Sequence, residues 1–260
     1  MVVFNPAFPV FSFFFGLIWG SFLNVCIHRI PLKQSIIHPS SSCPNCGTPV
    51  RFYDNIPIIS YIFLLGRCRH CSKRISVQYP VVELIMGLLS LGLFLKFGLS
   101  PQYFLFFLFS AALVIISFID LQHQIIPDII SLPGIIIGLA VSFVFIHIGW
   151  MDSMIGIIAG GGSLYIVAFV FERLTGKEGM GGGDVKLLAM IGAWMGWRGL
   201  LFIILLSSLT GTVIGSISLL AARKGLKAKI PFGPFLSLGA LIYLFWGQEL
   251  KFWYYNLFLL

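Results

Sequence analysis

PQYFLFFLFSAALVIISFID, residues 101–120, runs nineteen positions without a charged side chain and then ends on an aspartate. A hydrocarbon core about 30 Å thick is crossed by roughly 20 apolar residues in a helix, because each residue advances about 1.5 Å. This stretch fits that ruler, and its single acid falls at the end of the span. Working outward with the same ruler finds seven more candidates: 8–27, 80–98, 128–148, 153–172, 184–197, 200–222 and 233–250. The stretch 184–197 is short, and reads as a span of little tilt or a partly re-entrant one. The expected fold is an all-α polytopic membrane protein. It is a bundle of about eight transmembrane helices with a small zinc-binding cytoplasmic domain between the first two.

Composition agrees. The 260 residues are 58% hydrophobic and only 10% charged, where a soluble domain carries about 25% charged residues. One water-soluble core cannot hide that much apolar surface, so the excess faces lipid, and a lipid bilayer is the first partner implied. No basic residue precedes the first apolar stretch and no small-residue cleavage signal follows it, so it is expected to stay as a span.

The net charge of +8 reports topology here rather than nucleic-acid binding, because the cations sit between apolar spans. With the N-terminus outside, one face collects Arg29, Lys33, Arg51, Arg67, Arg69, Lys73, Arg74, Arg173, Lys177, Arg223, Lys224, Lys227 and Lys229. Lys186 lies just inside a span from that same face. The opposite face keeps only Lys96, Arg198 and Lys251. Fourteen against three makes the richer face cytoplasmic by the positive-inside rule. Within the spans, Gly134/Gly138, Gly156/Gly160, Gly192/Gly196 and Gly211/Gly215 carry the small-xxx-small spacing that lets helices approach closely.

The chain divides into a first span (1–27), an insert (28–79) and a transmembrane domain (80–260). The insert holds seven of the seventeen cations and four of the five cysteines. Cys43-Pro-Asn-Cys46 and Cys68-Arg-His-Cys71 are two CxxC pairs separated by 21 residues. Four thiolates so arranged suit a tetrahedral structural zinc ion. A cytoplasmic compartment keeps thiols reduced, which weighs against disulfides, and redox chemistry is the other competing reading. A domain of about 50 residues buries too little core to stand without a staple. His70 stands within the second pair, but four cysteines already complete the shell. Cys26 lies in the first span and reads as a small apolar residue.

Nine acids are present, and their placement is informative. Asp152 and Glu249 fall at the outer face. Asp54, Glu83, Asp120, Asp128, Glu172, Glu178 and Asp184 fall on or near the cytoplasmic face. Ionisable residues near the membrane are costly and point to function, although an acid at a span boundary also serves simply as a helix-end anchor. Asp120 ends its span with no basic neighbour close in sequence. Asp184 follows Gly179-Met-Gly-Gly-Gly183, a turn that lets another backbone approach the carboxylate. That run is not a dinucleotide loop, since the GxGxxG spacing fails and no strand precedes it. There is no GxSxG elbow and no HExxH helix, and the histidines at 28, 38, 70, 123 and 147 show no ligand spacing. Serine hydrolases, zinc proteases and P-loop enzymes drop out.

These residues together resemble the bacterial type IV prepilin peptidases, membrane aspartic proteases of the GxGD type. Gly181-Gly-Gly-Asp184 is that signature, within Gly179-Met-Gly-Gly-Gly-Asp-Val-Lys-Leu-Leu-Ala. Gly20-Ser-Phe-Leu-Asn-Val25 with His28-Arg-Ile-Pro31, and Tyr53-Asp-Asn-Ile-Pro57 with Gly66-Arg-Cys68 between the CxxC pairs, are similarly placed. So are Ile126-Pro-Asp128 and Pro231-Phe-Gly-Pro-Phe235. The resemblance implies that Asp120 and Asp184 are the catalytic pair; Asp128 is the rival to Asp120, ranked second because it follows Pro127 at the start of the next span, where an acid is ordinary. It implies prepilin and pseudopilin substrates of type IV pilus and type II secretion systems, cut at the cytoplasmic membrane face. It also implies S-adenosyl-L-methionine as methyl donor for the new N-terminus, for which no separate motif is visible. Two readings from other classes compete. An assembly factor without catalysis would tolerate loss of both aspartates, and a transporter would place its ionisable groups near the midplane of broken helices.

Overall fold

The computed structural model describes residues 7–144, 149–176, 181–222 and 231–258. His147, Lys177, Glu178, Gly179, Met180, Arg223, Lys224, Lys227 and Lys229, used above for topology and motif, lie outside the described residues. The helices are α1 (Ala7–Arg29), α2 (Ile59–Phe63), α3 (Gln78–Phe97), α4 (Pro101–His123), α5 (Asp128–Val144), α6 (Trp150–Thr175), α7 (Gly182–Met195), α8 (Trp197–Ala222) and α9 (Gly233–Phe258). A 3-10 turn covers Phe52–Asn55. All eight apolar stretches form helices as expected, the one at 128–148 over its described part, and no strand occurs among the described residues. Among the described residues five helices, namely α1, α3, α4, α6 and α8 over Trp197–Ile217, are long and apolar enough to cross a membrane; α5 is a shorter apolar helix. The last helix runs further than the expected 233–250 and bends at Trp246.

The chain forms two compact units, Met1–Ile115 and Ile116–Leu260. In the first, α1 lies along α3. The two backbones meet at Gly20, where an added β-carbon would fall 2.5 Å from the Glu83 Cα. Ser12 donates to the Ser90 carbonyl at 2.9 Å, and Ser90 and Tyr103 hydroxyls meet at 2.7 Å. In an apolar stack such bonds set register, because a slipped hydroxyl would be left unpaired.

The insert is tied to this pair by polar contacts. At the mouth of the pair, Asn24 of α1 donates to the Tyr79 carbonyl at the start of α3 at 3.1 Å. The buried Glu83 accepts from the Ile58 N–H at 2.7 Å. Arg29 holds the Ser35 and Pro39 carbonyls at 2.9 and 2.8 Å, closing the first loop of the insert.

In the second unit, α7 is the helix to explain. It has 14 residues, and every side chain from Leu187 to Met195 is buried. A helix apolar all round belongs inside a bundle. Because α7 packs against protein rather than lipid, it need not match the bilayer thickness. Three of the four glycine pairs predicted for close approach lie at its contacts, while Gly211 of α8 meets Phe235 of α9 instead. Gly156 of α6 rests on the Gly192 carbonyl, and a β-carbon at Gly160 would lie 2.6 Å from the Leu188 carbonyl. Gly138 of α5 faces Trp194, whose indole N–H donates to the Gly134 carbonyl at 2.9 Å. Ser153 donates to the Ala193 carbonyl at 2.8 Å. These contacts fix α7 along its axis, and so fix the position of Asp184 at its start.

Gly156→Ala would drive a methyl group into the Gly192 backbone, which has no rotamer to yield with. Overpacking of this kind typically destabilises by about 1–3 kcal/mol, and here the obstacle is rigid on both sides. We expect a clear drop in thermal midpoint in detergent, with Gly162→Ala, which meets open space, unchanged. Equal midpoints for the two variants would refute the α6–α7 contact.

Candidate active site and metal centre

Asp120 lies in the last turn of α4 and is 5% exposed. Its Oδ2 accepts from the Gly233 N–H at 3.0 Å. Gly233 is the first residue of α9, so this N–H is one of the donors that a helix start leaves unpaired. A carboxylate there satisfies the donor and faces the favourable end of the helix dipole. The approach is close because Gly233 has no side chain. A β-carbon there would sit 2.7 Å from Asp120 Oδ2 and 3.3 Å from Ile126 Cδ1.

Asp184 is the third residue of α7, with Gly181 extended at the cap. Its own N–H returns to the Gly181 carbonyl at 3.1 Å, and its side chain is half-buried. The three glycines before it differ in purpose. A β-carbon at Gly182 meets nothing, whereas one at Gly183 would lie 2.9 Å from Ile126 Cβ. Ile126, in the turn from α4 to α5, is therefore the wedge between the two sides of the site. It packs against Gly183 next to one aspartate and reaches Gly233 next to the other. Asp120 and Asp184, 64 positions apart in sequence, are thereby brought to either side of the same Ile126 side chain.

Asp128 is placed differently. It opens α5 and accepts both bonds from the Lys186 ammonium, at 2.7 and 2.8 Å, in an exposed ion pair. It is neutralised there, while no cation pairs with Asp120 or Asp184 among the described residues.

In the insert, the two CxxC segments fold as matching turns. Cys43 N–H bonds the Thr48 carbonyl and Gly47 N–H the Cys43 carbonyl; 25 positions on, Cys68 N–H bonds the Lys73 carbonyl and Ser72 N–H the Cys68 carbonyl. An isolated antiparallel bridge closes each, Ser42 with Pro49 and Arg67 with Arg74. Gly47 and Ser72 both take the left-handed backbone that turns the chain after the second cysteine. The four Sγ atoms of Cys43, Cys46, Cys68 and Cys71 lie within 4.8 Å of one another, and Cys43 and Cys71 Sγ are 3.8 Å apart. A tetrahedral ion with metal–sulfur bonds of about 2.3 Å requires sulfurs roughly 3.8 Å apart. The four residues can therefore hold a metal ion. Bonds from the Thr48 side chain and backbone hold the Cys46 thiol down to about 6, favouring the thiolate that a metal takes. His70 is exposed and outside the cluster, and Cys26 is buried in α1. Arg69, inside the second CxxC, holds Asp54 of the 3-10 turn at 2.6 and 2.9 Å.

Residues 14–97 match the family model described as bacterial peptidase A24 N-terminal domain, and residues 107–216 match that of the type IV leader peptidase family. The chain belongs to the type IV leader peptidase family. Curated relatives named prepilin leader peptidase/N-methyltransferase agree along nearly the whole chain. The relative from Stutzerimonas stutzeri is 38% identical over 95% of this chain and 93% of its own length. That from Pseudomonas aeruginosa is 39% identical over 94% and 92%, and that from Aeromonas hydrophila 39% over 95% and 93%. No solved structure matches the chain. With its apolar helices, this membership makes it a multi-pass inner-membrane protein.

Two contributors were not assigned roles from sequence, Ile126 and Gly233. Both lie in segments already singled out, Ile126-Pro-Asp128 and Pro231-Phe-Gly-Pro-Phe235. The signal was a glycine between two prolines just ahead of an apolar span.

Proposed function

We propose that the protein cleaves the leader peptide of type IV prepilins and type II secretion pseudopilins at the cytoplasmic membrane face, and methylates the new N-terminus. The observation that carries the proteolytic reading is the convergence of Asp120 and Asp184, from opposite helix ends, around Ile126. Family membership and the names of the relatives support it. The cation distribution supports an N-terminus outside and the site at the inner interface, where the cut of a leader preceding an apolar helix would fall.

Two carboxylates that share one site do not both ionise cheaply, so one keeps a proton near neutral pH. The ionised member draws a proton from water, which attacks the scissile carbonyl. The protonated member polarises that carbonyl and then donates to the departing amine. No acyl-enzyme forms. The open space beside Gly182 leaves room for a substrate backbone next to Asp184. S-adenosyl-L-methionine would supply the methyl group to the new amine; this step rests on the relatives' name, and no residue of this chain is assigned to it.

The metal in the insert is zinc, held by Cys43, Cys46, Cys68 and Cys71 in a closed shell that stabilises residues 28–79 and does no chemistry. One zinc per chain is expected by elemental analysis. Chelation should raise amide exchange across 28–79 while leaving the helices of 80–260 protected. Cys43→Ser should reduce leader cleavage far less than either aspartate variant. Metal-free protein with these cysteines disulfide-linked in cells would defeat this assignment.

Incubating the purified protein with a prepilin, with and without S-adenosyl-L-methionine, and weighing the products tests both activities. Cleavage in both samples, with a mature chain one methyl group heavier only in the first, is expected. An intact substrate after both incubations excludes the peptidase.

A further inference from the structure

A domain that lives in water hides its large apolar side chains. The cysteine-bearing insert does the opposite. Phe52 is 87% exposed, Phe63 82% and Leu65 84%, and Ile59 and Ile62 are exposed as well. On the single turn of α2, Ile59, Ile62 and Phe63 share one face by their i, i+3, i+4 spacing. Isolated exposed apolar residues are ordinary, but a cluster of aromatic and branched side chains within one short segment marks a binding surface.

Three further observations say what covers it. Charge is the first. Seven cations and one acid lie between residues 28 and 79, and that acid, Asp54, is taken by Arg69. Arg67, Lys73 and Arg74 follow the apolar segment directly, are exposed, and face no carboxylate among the described residues. Tethering is the second. The insert begins at the end of α1 and finishes at the start of α3, both long enough to span, so it cannot leave the membrane surface. Continuity is the third. A groove of about 610 Å³ starts on α1 at Phe14, Ile18 and Phe22 and runs onto Ile37, Ile56 and Ile59 of the insert. The three α1 residues are exposed on the flank of a spanning helix, so the groove, mostly apolar but with Ser21, Arg29 and Asn55 in its wall, leads from lipid into the insert.

We propose that the insert is a membrane-interface module. The segment from Phe52 to Leu65 enters the headgroup region of the cytoplasmic leaflet, and Arg67, Lys73 and Arg74 bind the phosphates of anionic lipids. An apolar face flanked by cations is the combination that anionic bilayer surfaces select. A docked protein would equally cover the apolar face, but it gives no reason for the groove to continue along α1.

The full-length protein, carrying a photo-crosslinking phenylalanine analogue in place of Phe63, can be reconstituted in lipid nanodiscs. One preparation is purely zwitterionic and another contains phosphatidylglycerol. Mass analysis after irradiation should show lipid adducts at position 63, several-fold more abundant in the anionic discs. The combined change Arg67→Ser, Lys73→Ser and Arg74→Ser should return the yield to the zwitterionic level. These residues lie outside the aspartate site, so cleavage assayed in parallel separates a failed surface from a failed peptidase reading. Absence of lipid adducts in both discs, a yield indifferent to lipid charge, or crosslinks only to protein would each overturn the proposal.

Discussion

Asp120→Asn and Asp184→Asn are each expected to abolish leader cleavage, while the protein should still insert and fold. The amide keeps the size of the carboxyl group, so the Ile126 wedge and the Gly233 N–H contact have little reason to move. The proton inventory is what changes: an amide cannot serve as base, nor as the acid that protonates the leaving amine. General acid–base groups contribute roughly 10²–10⁴-fold each, so residual cleavage should fall by at least that factor. The double variant should be scarcely worse than either single one, because groups acting as a unit are not additive. Asp128→Asn serves as the control. It removes only an exposed ion pair with Lys186, worth about 0–1 kcal/mol, and should retain most activity. Initial rates on a purified prepilin decide this, and near-normal cleavage by either first variant removes that residue from the pair.

Gly233→Ala should be nearly as damaging, although it touches no ionisable atom. Its methyl group would arrive 2.7 Å from Asp120 Oδ2 and 3.3 Å from Ile126 Cδ1. Neither neighbour has room to yield, because Asp120 is buried and Ile126 is held against Gly183. The start of α9 must therefore move away, taking the N–H donor with it. A displacement near 1 Å in a catalytic constellation can lower rates about 10²-fold. Gly183→Ala should act in the same direction through Ile126, and Gly182→Ala, which meets open space, should be mild. The ratio of the Gly182 and Gly183 variants in kcat is the informative quantity. Equal rates would show that the wedge does not position the aspartates.

Much of this was legible in the sequence because the bilayer imposes a length and a polarity on each span. The eight apolar helices and the cysteine cluster follow from apolar runs and CxxC spacing; local context set Asp120 and Asp184 apart among the acids, and the resemblance to the family paired them. The third dimension of the site was not legible. Nothing local to Asp120 says that a donor 113 residues later will reach it, since that contact depends on how α9 enters the bundle. Likewise the run before Asp184 reads as three equivalent glycines, and only the packing of Ile126 separates Gly183 from Gly182. Asp128 was second choice because a helix start is an ordinary place for an acid. Its ion pair with Lys186 is a cross-helix contact, which spacing along the chain does not show.

The central claim, that two carboxylates deliver water directly to the scissile bond, is tested most directly by cleaving a prepilin in 18O-enriched water and following both substrate and enzyme by intact mass. The account predicts one 18O atom in the new C-terminal carboxylate of the leader, no leader-sized mass on the enzyme at any time, and no product from Asp120→Asn or Asp184→Asn. A covalent leader–enzyme species, or labelled product from either variant, would contradict it.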